Sequence, residues 1–250
     1  MTFIAFGGLV VDILKLTLYI ACAYLAIAAL TSHVKTPWLL ELAGRRFAVL
    51  SLLTLLVAGV KVFEDVLSKE SGPIDTTALW FIKQYASPAW LGFFSAVTWS
   101  GAAIFLVPAT SLLCTLLLWA QHPREAILLV ASMTSGWALT YTLKTMIDRP
   151  RPELWSTTWY WGSSFPSGHT LSTAAFATAL TLIAARIWPL SRRMALPLAV
   201  LWISLMGMSR LVLGVHWPTD VLAAICIGVF IPLAINMVLD LHQSHSAIIR

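Results

Sequence analysis

Apolar residues run along this chain in blocks about as long as a bilayer is thick, and charged residues gather mostly near the ends of the blocks and in the joints between them. A membrane-crossing helix needs roughly 20 apolar residues, because each residue rises about 1.5 Å across about 30 Å of hydrocarbon. Seven blocks have this character: residues 4–30, 47–66, 91–120, 126–146, 167–187, 195–215 and 218–239. The third is long enough to be tilted or partly interfacial. Between the second and third lies a mixed stretch, 67–90, with Lys69, Glu70, Gly72, Pro73 and Asp75. Within it, residues 77–85 place Leu79, Trp80 and Ile82 on one helical face, which predicts an interfacial helix. His122-Pro123-Arg124-Glu125 reads as a tight turn and 147–165 as a polar loop. The pattern predicts an all-α polytopic membrane bundle, six core helices preceded by one N-terminal apolar helix. Its parts are 1–46 (the first helix and a connector), 47–240 (the core) and 241–250 (a tail with His242 and His245).

Composition supports this. Of 250 residues, 59% are hydrophobic and 11% charged, with a mean hydropathy of +0.83. A soluble domain carries about 25% charge. The net charge of +5 does not point to nucleic acid, since the basic residues are scattered through the joints. They fit a topology bias instead. If the joint before the second block is cytoplasmic, Lys35, Arg45, Arg46, Arg124, Arg186, Arg192, Arg193 and Arg250 gather on that side. The C-terminus is then inside, the N-terminus outside, and the polar loop 147–165 extracytoplasmic. Cys22, Cys114 and Cys226 lie far apart inside apolar blocks and read as small core residues. The first thirty residues lack a basic n-region and contain Asp12 and Lys15, so the first block is expected to be retained rather than cleaved.

The chemistry lies in three segments: Lys144 to Pro152, Pro166 to His169, and Ser209 to Asp220. All three fall at block ends on one side of the membrane. Pro166 is expected in the first turn of a helix, leaving the N–H groups of Ser167, Gly168 and His169 to face an anion. Lys144, Arg151 and Arg210 add charge-assisted donors suited to phosphate. His216 and Asp220 are four residues apart across Pro218, so the carboxylate can hold one ring nitrogen and leave the other to attack. His169 has no acidic neighbour in sequence and is the better candidate for protonating a leaving oxygen. A single His or Arg at a helix end is usually a snorkelling residue, but several ionisable groups converging on one layer of a membrane protein mark a functional site.

Lys-Thr-Met-Ile-Asp-Arg-Pro-Arg-Pro from Lys144, Pro-Ser-Gly-His ending at His169, and Ser-Arg-Leu-Val-Leu-Gly-Val-His-Trp-Pro-Thr-Asp ending at Asp220 resemble the three signature motifs of the type 2 phosphatidic acid phosphatase superfamily. That superfamily includes bacterial membrane lipid phosphatases and the vanadium haloperoxidases. The motifs match in order and internal spacing, and the six-helix pattern from Phe47 to Asp240 fits as well. The resemblance implies a metal-independent lipid phosphatase with no cofactor in a bacterial cytoplasmic membrane. It implies His216 as nucleophile through a phosphohistidine, Asp220 as its orienter, and His169 as acid and then base. Lys144, Arg151, Ser167, Gly168 and Arg210 would hold the phosphate. Implied substrates are undecaprenyl diphosphate, phosphatidylglycerol phosphate, phosphatidic acid and lipid A phosphates. Rival readings are a lipid phosphotransferase with the same site and a non-catalytic lipid transporter. The departure from the family is the apolar helix before Phe47, read as packing or anchoring, with a role in lipid entry or dimerisation as the alternative.

Trp155, Trp159, Tyr160 and Trp161 read as an aromatic belt at the membrane interface, with a substrate lid as the alternative. Glu64 and Asp65 read as a solvated helix end or ion pair, with a headgroup site as the alternative. Asp148, Arg149 and Glu153 flank the site, and Arg149 is a weaker candidate for a second phosphate. His242 and His245 make too small a set for a metal site.

Overall fold

The structure, a computed structural model, describes residues 2–33, 44–152 and 162–249. Its α-helices are α1 Thr2–His33, α2 Arg46–Leu67, α3 Gly72–Tyr85, α4 Pro88–Trp99, α5 Ala103–Trp119, α6 Pro123–Met146, α7 Gly168–Ile187, α8 Arg192–Val212 and α9 Pro218–Ile249. Among the described residues, six spans are long and apolar enough to cross a membrane: α2, α4 with α5, α6, α7, α8 and α9. A further apolar stretch, Leu14–Ala29, lies in α1. The aromatic residues 155–161, Glu153, Lys35, and the side chains of Asp12 and His245 lie outside what is described.

The apolar blocks translate into helices with two adjustments. The block at 91–120 is two helices, α4 and α5, that together make one candidate span. The break falls at Ser100, Gly101 and Ala102, where α4 and α5 meet α7 and α8. A Cβ on Gly101 would lie 2.7 Å from Thr173 Oγ1 and 2.6 Å from Met206 Cε, closer than real contacts allow. Trp202 Nε1 donates to Ser100 Oγ at 2.9 Å and fixes the break. A hydropathy block cannot register a glycine chosen for close approach. The second adjustment is at the end, where α9 continues to Ile249 rather than stopping near residue 239.

Helix α7 is the axis of the bundle. It packs against α6, α8 and α9, and 56% of its apolar window is buried, more than for any other span. In lipid, helices gain little from hiding apolar surface and associate through close packing, which favours small residues. The buried face of α7 accordingly carries Ala174, Ala175, Ala177 and Ala179. On α9, Gly228 sits where a Cβ would come within 2.6 Å of the Leu171 carbonyl oxygen. Leu106, Leu128, Leu129, Met133, Phe176 and Ile183 fill the layer between α5, α6 and α7. The outward faces remain apolar, with Leu56, Leu112, Leu116 and Leu222 exposed, as expected of helices that face lipid. Helix α1 packs on α2 and exposes Leu14, Leu18, Tyr19 and Leu25.

The arginines expected to mark one membrane side have a second property: three of them converge on one carboxylate. Arg45, Arg124 and Arg186 all bond to Asp240. Glu125 Oε1 lies 3.7 Å from Arg124 and 3.6 Å from Arg186. This cluster joins α9 to α6, α7 and the start of α2. It lies at the end of the bundle opposite the motifs, because Arg124 and Lys144 occupy the two ends of the 24-residue helix α6, about 30 Å apart at 1.5 Å per residue.

Candidate active site

Four helix ends meet at the motif side: the last turn of α6 (Lys144), the first turn of α7 (Gly168, His169), the last turn of α8 (Arg210) and the first turn of α9 (Asp220). Antiparallel neighbours put a C-terminus beside an N-terminus, so residues from 144 to 220 share one layer. Arg151 comes from the loop after α6, and His216 from the turn between α8 and α9. The electrostatic couplings show the convergence directly. Lys144 couples to Arg151, Arg210 and Asp220. His169 couples to His216, Arg210, Arg151 and Lys144. His216 couples to Arg210, Asp220 and Arg151. These six residues therefore come together in one place, and Ser167, whose N–H donates to the Asp220 carbonyl, brings Gly168 beside them at the start of α7.

Neutral oxygens position the cations. Lys144 Nζ donates to the Ser163 carbonyl, Arg151 Nη1 to the Val215 carbonyl at 2.8 Å, and Arg210 Nη1 to Thr98 Oγ1. Arg210 is 1% exposed, and a charge that deep persists only with partners of this kind. Ser167 is the N-cap residue of α7, and its Oγ bonds Thr170 Oγ1 at 2.9 Å. Ser209 turns away from the site and donates to the Met206 carbonyl in its own helix.

The histidine and its carboxylate are held from both sides. His216 Nδ1 lies 3.4 Å from Asp220 Oδ2, and Nε2 lies 3.4 Å from Arg151 Nη1. The Trp217 N–H donates to the same Asp220 oxygen at 2.9 Å. Burial pushes the His216 imidazole down to about 4, against the opposing pull of Asp220. At neutral pH the ring is therefore uncharged, with a lone pair available, which a nucleophile requires.

Two expectations need correction. Pro166 is not in the first turn of α7: it precedes the N-cap Ser167, after a cis Phe165–Pro166 bond. The Ser167 N–H is consequently not directed at an anion, and donates to the Asp220 carbonyl at 3.3 Å. The tertiary approach of α9 takes a donor that a lone helix start would leave open. The second correction concerns Arg149, weighed for a second phosphate. Its guanidinium is committed to four side chains: Ser71 Oγ at 3.2 Å, Asp75 Oδ2 at 2.5 Å, Thr219 Oγ1 at 2.9 Å, and Asp220 Oδ1. Glu64 and Asp65 both pair with Lys61 on the same helix, whose Nζ lies 3.5 Å from Glu64 Oε2 and 2.6 Å from Asp65 Oδ1.

Asp75 was missed as a site residue. It is 0% exposed, accepts from the Thr219 N–H at 2.9 Å and from Thr219 Oγ1 at 2.7 Å, and pairs with Arg149. The sequence held one signal: a carboxylate in the first turn of a helix beside the bilayer is expensive unless paired. The partner, 74 residues away, was not visible. Beside this network lies a cavity of about 500 Å³, lined by Lys69, Asp75, Asp148, Arg149, Met146 and Trp217 among others. None of the eight predicted phosphate-chemistry residues lines it.

Comparison with known proteins agrees with this layout. The family model of the PAP2 superfamily matches residues 125–241, which encloses all three motifs. Phosphatidylglycerophosphatase B of Bacillus subtilis is 27% identical over 140 residues, 55% of this chain and 69% of that protein. Lipid A 1-phosphatase of Rhizobium etli is 34% identical over 100 residues, 36% of this chain and 40% of that protein. The crystal structure of a transmembrane PAP2-type phosphatidylglycerolphosphate phosphatase from Bacillus subtilis shares the fold. Its TM-score is 0.69 at 21% identity, over 74% of this chain and 94% of that one. By its motifs, the matched region and its fold, the chain is similar to the membrane phosphatases of the PAP2 superfamily.

Proposed function

We propose that this enzyme hydrolyses a lipid phosphate or diphosphate through a covalent phosphohistidine on His216, at the extracytoplasmic face of a bacterial cytoplasmic membrane. The single observation that carries this reading is a buried, neutral His216 with Asp220 on one ring nitrogen and Arg151 beside the other, in a layer that also holds Lys144, Arg210 and His169. Asp220 fixes the ring through Nδ1, so Nε2 attacks phosphorus. Lys144, Arg151 and Arg210, with Ser167 and the backbone at Gly168, hold the non-bridging oxygens and take up the charge that develops in transfer. As the N–P bond forms and the P–O bond to the lipid breaks, His169 gives its proton to the leaving oxygen. The anionic phosphate beside it favours the protonated ring. His169 then takes a proton from water, the water oxygen attacks phosphorus, the N–P bond breaks, and inorganic phosphate leaves.

The relatives named above act on different lipids, and what their substrates share is a phosphate ester. Undecaprenyl diphosphate, phosphatidylglycerol phosphate, phosphatidic acid and lipid A phosphates form the substrate panel, with the lipid reaching the site laterally from the bilayer. The orientation rests on the excess of arginine at the Asp240 end. The test is inorganic phosphate release from that panel by detergent-purified protein in excess EDTA, with His216→Ala as the blank. Release that disappears in the variant is the expected result and ranks the lipids. No release, with phosphate appearing on an added acceptor lipid, means a phosphotransferase. Full activity in His216→Ala together with loss in His169→Ala sinks the phosphohistidine.

A further inference from the structure

The cation nearest the catalytic carboxylate is one that the phosphate chemistry does not need. Arg149 lies two residues before Arg151 in the first motif, yet its guanidinium faces away from the histidines, towards α3 and the start of α9. It donates to Asp220 Oδ1, the oxygen that His216 does not use, and to Asp75 Oδ2 at 2.5 Å. Asp220 Oδ2 is the atom 3.4 Å from His216 Nδ1. The two oxygens of one buried carboxylate therefore have separate partners, Arg149 on one and His216 with the Trp217 N–H on the other. Asp75 closes the far side by binding Arg149 and both donors of Thr219, the residue before Asp220. Both carboxylates are 0% exposed, so neither can exchange these partners for water without cost.

We infer that Asp75 and Arg149 are positioning residues that set the catalytic geometry of His216 through Asp220. This inference rests on the reading of His216 as nucleophile. A carboxylate near a helix start can rotate and offer either oxygen. Arg149 occupies one oxygen and, tied to Asp75, is itself fixed, which leaves Oδ2 for the imidazole. Asp75 also keeps Arg149 charge-balanced; otherwise the guanidinium would draw Asp220 away from His216. The short helix α3 thereby becomes part of the catalytic support. Its first turn supplies Asp75, and the preceding Ser71 also accepts from Arg149 at 3.2 Å. Groups that orient a catalytic ligand from outside typically change its output on the order of 10- to 100-fold when removed.

The test compares Asp75→Asn, Asp220→Asn and the double variant in detergent, using the most active lipid. In Asp75→Asn, kcat is expected to fall on the order of 10- to 100-fold, while KM and the inhibition constant for inorganic phosphate stay within about two-fold, because the phosphate cradle is untouched. On the Asp220→Asn background the same change is expected to cost almost nothing further, since the residue it acts through is already disabled. Should Asp75→Asn not elute as a folded species, Arg149→Lys applies the same criteria, because an ammonium cannot bridge two carboxylates as the planar fork does. ¹⁵N NMR of histidine-labelled protein reads the ring without turnover: the Nδ1–H tautomer of His216 is expected to lose population in the variant. Wild-type kcat in Asp75→Asn, losses that multiply in the double variant, or an unchanged tautomer would overturn the inference. Absence of any phosphate release by the wild type would instead break the functional reading, and the tautomer measurement would still decide this one.

Discussion

The two ends of the bundle carry similar residues arranged to opposite effect. At the Asp240 end, three arginines from three parts of the chain close on one carboxylate, with Glu125 beside them. At the motif end, the bonds of Lys144, Arg151 and Arg210 include one to a carbonyl, one to a carbonyl and one to a hydroxyl. A neutral oxygen fixes where a cation stands without cancelling its charge, whereas a carboxylate does both. Arg149 shows the contrast within one motif. Paired with two carboxylates, it belongs by chemistry to the clasping kind, although it stands two residues from Arg151. Partners, more than residue type or location, separate a clasp from a site.

Several experiments test that separation. The largest effect is expected for His216→Ala, with phosphate release down by at least ~10³-fold, as when a catalytic nucleophile is removed, and thermal unfolding in detergent unchanged. Asp240→Asn is expected to give the reverse. Leaving the arginines around a missing charge costs about 2–4 kcal/mol, discounted from a fully buried pair because Arg45 and Arg186 are partly exposed; thermal unfolding measures it, and kcat per folded molecule stays near wild type. A strong loss of kcat there would mean that the two ends are coupled. Arg210→Lys keeps the charge and removes the forked donor, so kcat/KM is expected to fall on the order of 10- to 100-fold.

The pH profile sharpens the motif end further. A histidine with its value lowered to about 4 is neutral above that pH and protonated below it, and protonation removes the attacking lone pair. Hence kcat/KM is expected to be insensitive to His216 between pH 5 and 7 and to fall about ten-fold per pH unit below about 4. A limb near the ordinary histidine value of about 6.5 would mean that His216 is more solvated than its burial indicates. The smallest effect belongs to Lys61→Met, which breaks the pair with Asp65. A half-buried pair four residues apart on one helix at the bundle surface is worth about 0.3–0.5 kcal/mol, and activity is expected to stay unchanged. A large loss would return Glu64 and Asp65 to consideration as a headgroup site.

The sequence by itself determined the membrane helices and the three motifs. Hydrophobic length is a local property, so most spans could be read to within a few residues, though not the end of α9, and the short helix bearing Leu79 and Trp80 was legible in its second half. That the eight expected residues share one layer was legible because their motifs fall at helix ends that alternation must bring to one side. Tertiary structure alone decided the rest. It took the Ser167 N–H for the Asp220 carbonyl, broke the third span at Gly101 where α7 and α8 approach, and turned Arg149 from a candidate phosphate ligand into a bridge. It also made Asp75 part of the site and Asp240 the centre of a clasp. Each of these depends on a contact across many residues, 74 between Arg149 and Asp75 and 195 between Arg45 and Asp240. Local periodicity carries no information about such pairs, and a buried charge acquires its role only from the partner that packing places beside it.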